Sequence, residues 1–150
     1  MVYNKVMSQK DISSSLQYSK KTMAVADAKK YMGRLEKADA YGRTRCDCAD
    51  DLEIWLNFNE QKKVKEAAYL TEGCLPTVAC GSTVCSLAIG KDLKGLMAVT
   101  AEDIDQELGI LPQESKYIIA MALNALRACV VDYITLKREA WRRDYRPRSV

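Results

Sequence analysis

From Leu52 to Phe58 the chain alternates without a break, with Leu52, Ile54, Leu56 and Phe58 on one side and Glu53, Trp55 and Asn57 on the other. Side chains of a β-strand point to opposite faces at successive residues, so this is the pattern of a half-buried strand. The polar stretch Asn59-Glu60-Gln61-Lys62 supplies a turn, and Val64 to Thr71 returns as a second strand. The two form an antiparallel hairpin whose apolar face needs a cover.

The rest of the chain offers that cover. Ile12 to Met32 reads as an amphipathic helix closed by Gly33, and Gly33 to Arg45 as an edge strand with its exit turn. Pro76 to Ile89 is a helix rich in small residues, opened by a proline at its first turn and ended by Gly90. A short helical segment spans Leu93 to Ala98. Thr100 then precedes Glu102 and Asp103 at a further helix start, and Gly109 stops that helix. After Leu111-Pro112 comes the longest periodic segment, in which Ile118, Ile119, Ala122, Leu126, Cys129, Val130 and Tyr133 recur at helical spacing. The expected fold is therefore α+β, with a small antiparallel sheet of about three strands packed against several helices and a long C-terminal helix. We expect one domain over 1–150, with a basic tail from about residue 137.

Composition narrows the function. A net charge of +3 in 150 residues, gathered toward the ends, is not the footprint of a dedicated nucleic-acid binder. No apolar run reaches the roughly 18 residues of a membrane span, and the first residues hold no apolar signal core. These observations lead us to expect a cytoplasmic protein with no membrane partner. In a reducing compartment its six cysteines are thiols or metal ligands rather than a disulfide framework. The chain has no histidine, which excludes Ser-His and Cys-His nucleophilic schemes.

Among the thiols, Cys74 stands at a strand-to-helix corner, between Gly73 and Pro76, where unpaired N–H groups favour a thiolate. Cys46, Cys48 and Asp50 would share one face if their backbone is extended. With Cys74 at the end of the returning strand, four anionic ligands could meet at one end of the sheet. Thiolates select zinc or iron-sulfur chemistry. Spacing alone leaves metal binding open, since free cysteine often packs as a small hydrophobe. Cys129 lies on the apolar stripe of the long helix, Cys85 is read as core, and Cys80 sits about 9 Å along the helix from Cys74, an awkward reach for one ion.

The order of features resembles the IscU/NifU family of iron-sulfur cluster assembly scaffolds from about Tyr18 to Tyr133. The matching pieces are Gly33-Arg34-Leu35-Glu36-Lys37-Ala38-Asp39-Ala40, Cys48-Ala49-Asp50 leading into Leu52-Glu53-Ile54-Trp55-Leu56, and Thr71-Glu72-Gly73-Cys74 with Gly90-Lys91. Thr100 to Gly109, Leu111-Pro112 and the last helix through Asp132-Tyr133 complete them. The resemblance implies that Cys48, Asp50 and Cys74 bind a transient [2Fe-2S] cluster or Zn2+. Two positions depart from the pattern. Tyr117 and Ile118 stand where the family has a His-Cys pair, and its L-P-P-V-K chaperone-recognition stretch is reduced to Leu111-Pro112-Gln113-Glu114-Ser115. Cys46, an extra thiol beside Cys48, would replace the missing sulfur ligand.

This reading makes the chain a scaffold or carrier rather than an enzyme. Its expected partners are a cysteine desulfurase, an iron donor and apo-protein cluster acceptors, and a homodimer is left open. Two alternatives stand beside it: a zinc-bound persulfide sulfur-transfer protein, and a regulatory or interaction relative that binds no cluster.

Overall fold

The structure is a computed structural model that describes residues 18–45, 51–109 and 111–138. Three strands, β1 (Ala40–Arg45), β2 (Asp51–Phe58) and β3 (Val64–Leu70), form an antiparallel sheet with β2 in the centre. The helices are α1 (Lys20–Ala28), α2 (Leu75–Ala88), α3 (Leu93–Met97), α4 (Ala101–Leu108) and α5 (Lys116–Arg138), with a 3-10 turn at Gln113–Ser115 before the last. This is the α+β arrangement expected from the hydrophobic patterns.

Register explains both faces of the sheet. Ile54 sits opposite Gly42 on one side and Tyr69 on the other, and Leu56 sits opposite Ala40 and Ala67. These rows make the front face, fully buried under α2 and α5. The back face departs from the half-exposed strand expected of the alternation, because Glu53 and Trp55 are buried too. A strap covers them. Residues Tyr31 to Gly33 run beside β3, where Tyr69 N–H donates to the Tyr31 carbonyl and Gly33 N–H to the Tyr69 carbonyl. The chain then crosses behind the sheet, packing Leu35 and Ala38 with Trp55 and Ala68. Asp39 ends the crossing by accepting from Phe58 N–H at 2.8 Å while its own N–H donates to the Asn57 side chain. Under the strap, Tyr41 hydroxyl donates to the Glu53 carboxylate at 2.6 Å, which gives that buried charge a partner.

The strap also accounts for a shorter first helix. Helix α1 ends at Ala28 rather than at Gly33, with Lys29 in the left-handed region (φ 47°) as its cap. An early stop frees Tyr31 to Gly33 to lie against β3. The Ile12 to Gln17 part of the expected helix lies outside the described residues.

Helix α5 runs antiparallel to β1. Thr44 hydroxyl donates to the Met121 carbonyl, Gly42 faces Ala125 and Cys129, and Tyr41 N–H donates to Asp132. The helix approaches closely because Gly42 has no side chain; a Cβ there would meet the Cys129 backbone nitrogen at 2.7 Å. Contrary to the expectation that no apolar run reaches span length, Lys116–Thr135 is long and apolar enough to cross a membrane by length and composition, but half of it is buried inside this fold, as in a core helix.

Candidate functional site at one end of the sheet

Three chain segments begin or end at one edge of the fold. β1 ends at Arg45, which pairs with Asp51 at the start of β2. The end of β3 lies beside the same start, since Leu70 is opposite Glu53. The antiparallel course of α5 along β1 brings its N-terminus to this end as well. Helix α2, which follows β3 and packs against α5, starts here too. Two helix N-termini thus share one end, where their partial positive charges suit anionic ligands.

Cys74 occupies the N-cap of α2 with extended backbone, and Pro76 follows in the first turn. Its thiol is exposed. The corner is built from hydroxyls that the patterns did not single out. Thr71 hydroxyl donates to the Asp51 carbonyl and accepts from Gly73 N–H at 2.9 Å, tying the approach to Cys74 onto the start of β2. Buried Thr77 places its hydroxyl 3.7 Å from the Cys74 sulfur. Gly73 is needed at that approach, since a Cβ would sit 2.9 Å from the Thr77 side chain. The signal for Thr71 was a threonine two residues before a glycine, the spacing of a local hydroxyl-backed turn.

Of the other sequence-predicted site residues, Cys46, Cys48 and Asp50 lie outside the described residues. Their flanks are described: Arg45 and Asp51 pair across the hairpin, and Arg43 bridges to the Asp51 carboxylate at 3.1 Å. Among the described residues, no three Cys, Asp or Glu side chains converge as a metal site.

The remaining cysteines belong to the core. Cys80, Cys85 and Cys129 are fully buried. Burial pushes the Cys80 thiol up to about 12, helped by the carboxylate of Asp105 and then by Cys74. Burial likewise raises Cys85 strongly. Cys129 donates to the Ile54 carbonyl at 3.3 Å. At the start of α5, Ile118 is 1% exposed and Tyr117 is 46% exposed, so the first is committed to packing and the second faces outward.

A family model for the NifU-like N-terminal domain matches residues 17–140. The chain belongs to that family. As a NifU-like N-terminal domain it is 26% identical over 117 residues to an iron-sulfur cluster assembly scaffold protein IscU of Archaeoglobus fulgidus, covering 77% of this chain and 76% of that protein. It is 31% identical over 93 residues to the IscU scaffold of Escherichia coli, covering 62% and 71%. A nitrogen fixation protein NifU of Cereibacter sphaeroides is 35% identical over 102 residues, which is 67% of this chain but 41% of that longer protein. The same fold occurs in a solved SUF-system scaffold from Fervidobacterium islandicum, with a TM-score of 0.64 at 16% identity over 78% of this chain and 98% of that one. Within this NifU-like domain, Cys74 has the corner expected of it, while α5 opens with a phenol and a buried aliphatic side chain.

Proposed function

We propose that this chain is an iron-sulfur cluster assembly scaffold or carrier, which receives sulfur and iron, holds the nascent cluster as cargo and passes it on. The observation that carries the reading is the exposed Cys74 thiol at the N-cap of α2, on the same end of the sheet as the Arg45–Asp51 pair that flanks Cys46, Cys48 and Asp50. Family membership and the scaffold names of the relatives support it.

The ligand set we assign is Cys46, Cys48 and Cys74, with Asp50 as an exchangeable fourth. Ile118, buried in the core, leaves α5 no sulfur ligand to offer at that position, which is the reason for assigning the third thiolate to Cys46. A carboxylate among thiolates binds iron less tightly than a fourth sulfur, and that suits a cargo that must leave. The cargo is a [2Fe-2S] cluster, and Zn2+ fits the same donors. Sulfur would come from a cysteine desulfurase persulfide, and its reduction to cluster sulfide would take two electrons from an external electron donor. The Cys74 thiolate attacks the terminal sulfur, the donor S–S bond breaks, and the donor cysteine leaves as a thiolate. The protein supplies ligands and position to that exchange and is not itself the enzyme; an iron donor and apo-protein acceptors complete its partners.

The test is anaerobic reconstitution with ferrous iron and sulfide, followed by metal analysis and absorption spectra. The wild-type chain should take up iron and sulfide, and Cys74→Ala, Cys48→Ala and Cys46→Ala should each lose most of it. Unchanged iron content in all three variants would sink the assigned site. Stoichiometric zinc without iron uptake would turn the reading toward a zinc-bound persulfide relay.

A further inference from the structure

Helices α1, α2 and α4 pack on one another and leave a cavity of about 120 Å³ between them. Exposed Lys30, Ser86 and Glu107 form its mouth, and Ser82 and Thr83, each 3% exposed, form its floor. The cavity is separate from the Cys74 corner, since Thr83 lies about 13 Å further along α2 at about 1.5 Å per residue.

Thr83 is the residue that calls for an occupant. A threonine inside a helix ordinarily turns its hydroxyl back onto a carbonyl one turn earlier. Thr83 does not, and among the described residues its buried hydroxyl has no hydrogen-bond partner. A buried hydroxyl left unpaired is costly, and this one belongs to the floor of a cavity that opens to solvent. Its partner is therefore whatever fills the cavity.

The mouth carries both signs of charge. Lys30 comes from the turn after α1 and Glu107 from the last turn of α4, and the two form no ion pair with each other. Leu108, next to Glu107, takes the Thr22 hydroxyl at 2.7 Å near the start of α1, so Glu107 belongs to one end of that helix and Lys30 to the other. Lys30 is also held in place. Its carbonyl accepts from the Ser82 hydroxyl at 3.0 Å, and its ammonium lies 5.2 Å from the centre of the Tyr31 ring. Lys29 and Tyr31 on either side have positive φ, 47° and 71°, a conformation that such residues keep only where their surroundings enforce it.

We infer that this cavity binds a small zwitterionic amino acid, with its carboxylate at Lys30, its ammonium at Glu107 and the Thr83 hydroxyl donating to the carboxylate. A plain anion would meet the Glu107 carboxylate and a plain cation the Lys30 ammonium, whereas a zwitterion answers both. Size sets the rest. A cavity of about 150 Å³ takes benzene, so this one takes alanine or serine and leaves out an aromatic side chain. Val25 offers the short side chain an apolar contact.

Nuclear magnetic resonance titration of the full, iron-free chain with L-alanine tests this, followed through the backbone amides. Alanine should bind saturably, with a Kd on the order of 1 mM for so small a ligand, and should move the Lys30, Thr83 and Ser86 signals. Propionate lacks the ammonium, ethylamine lacks the carboxylate and L-phenylalanine is too large, so each should bind at least about tenfold more weakly. Thr83→Val keeps the shape of the buried side chain and Glu107→Gln changes an exposed one, so the melting temperature should hold in both. Each should weaken alanine at least about tenfold, as the loss of a hydrogen bond to a charged group does, and Glu107→Gln should also erase the preference for alanine over propionate. Should Thr83→Val fail to fold, Glu107→Gln alone decides. The absence of saturable shifts would mean a cavity that holds water only and would overturn the inference. So would alanine binding that is unchanged in the folded variants, or any of the three control compounds binding as tightly as alanine.

Discussion

Helices α2 and α5 lie side by side on the front of the sheet and begin at the same end, yet they use that end differently. Helix α2 is buried over most of its length, and the missing side chain of Gly81 lets it lie close to Tyr69 and Leu52. It leaves the core at its first corner, where the exposed side chain is Cys74, and again near its far end at Ser86. Helix α5 keeps one side buried throughout, and the burial already includes Ile118 near its start. A thiol is available for chemistry where a helix starts outside the core, and a cysteine one or two turns further along, such as Cys80, becomes packing. Under the proposed ligand set, the chemistry at this end would depend on the α2 corner and on Cys46, Cys48 and Asp50, with α5 as a wall.

The strongest way to break this contrast is to unseat the wall. Gly42→Val would drive a side chain into the α5 backbone at Ala125 and Cys129. Overpacking against backbone should cost about 3 kcal/mol, read as a fall in urea midpoint. A variant as stable as wild type would mean that α5 does not rest on Gly42. Next in size is a pair of substitutions along α2. Cys85→Ser buries a hydroxyl in an apolar site and should cost about 2 kcal/mol, with iron uptake retained. Cys74→Ser should alter stability by less than about 0.5 kcal/mol, as exposed positions do, and remove iron uptake. Equal effects on both readouts would erase the distinction between corner and body.

A further effect is alkaline. Burial raises Cys80 from an ordinary 9.0 to about 12 and Tyr69 from 10.0 to about 12, the latter helped by Cys85. Both groups hold their protons more tightly folded than unfolded. Their contribution to stability is complete below the ordinary values and is lost as pH rises toward about 12. Under reducing conditions the urea midpoint should hold until about pH 8 and then decline through about pH 10. A midpoint that rises over that range would contradict the buried, protonated state of these groups.

The physical reasons for what could be read in advance are local. Alternation in Leu52 to Phe58 and the long stripe from Ile118 to Tyr133 report burial directly, and both elements are present. Pro76 after Gly73 marked the α2 corner because each residue constrains its own backbone. The Thr100–Asp103 capping box is equally local and also formed. The strap was not legible, since its contacts join Asp39 to Phe58 and Leu35 to Trp55, and its own sequence is polar. The end of α1 was misplaced for the same reason: Lys29 is a poor sequence signal for a left-handed cap, and the turn serves a distant strand. At the site, Cys74 was legible from its neighbours, whereas Thr71 and Thr77 act through contacts that only folding creates.

The carboxylate of Asp132 has a consequence beyond seating its helix. By taking the outward N–H of Tyr41 at 2.9 Å it occupies the open side of β1, while Tyr31 to Gly33 occupy the open side of β3. A foreign strand could join at β1 only by displacing a hydrogen bond to a charged group, worth about 1.5–3 kcal/mol. The sheet is thus guarded at both margins against the edge-to-edge pairing that drives aggregation. Recognition by strand addition is disfavoured, and visitors to this protein must meet it through helices and loops.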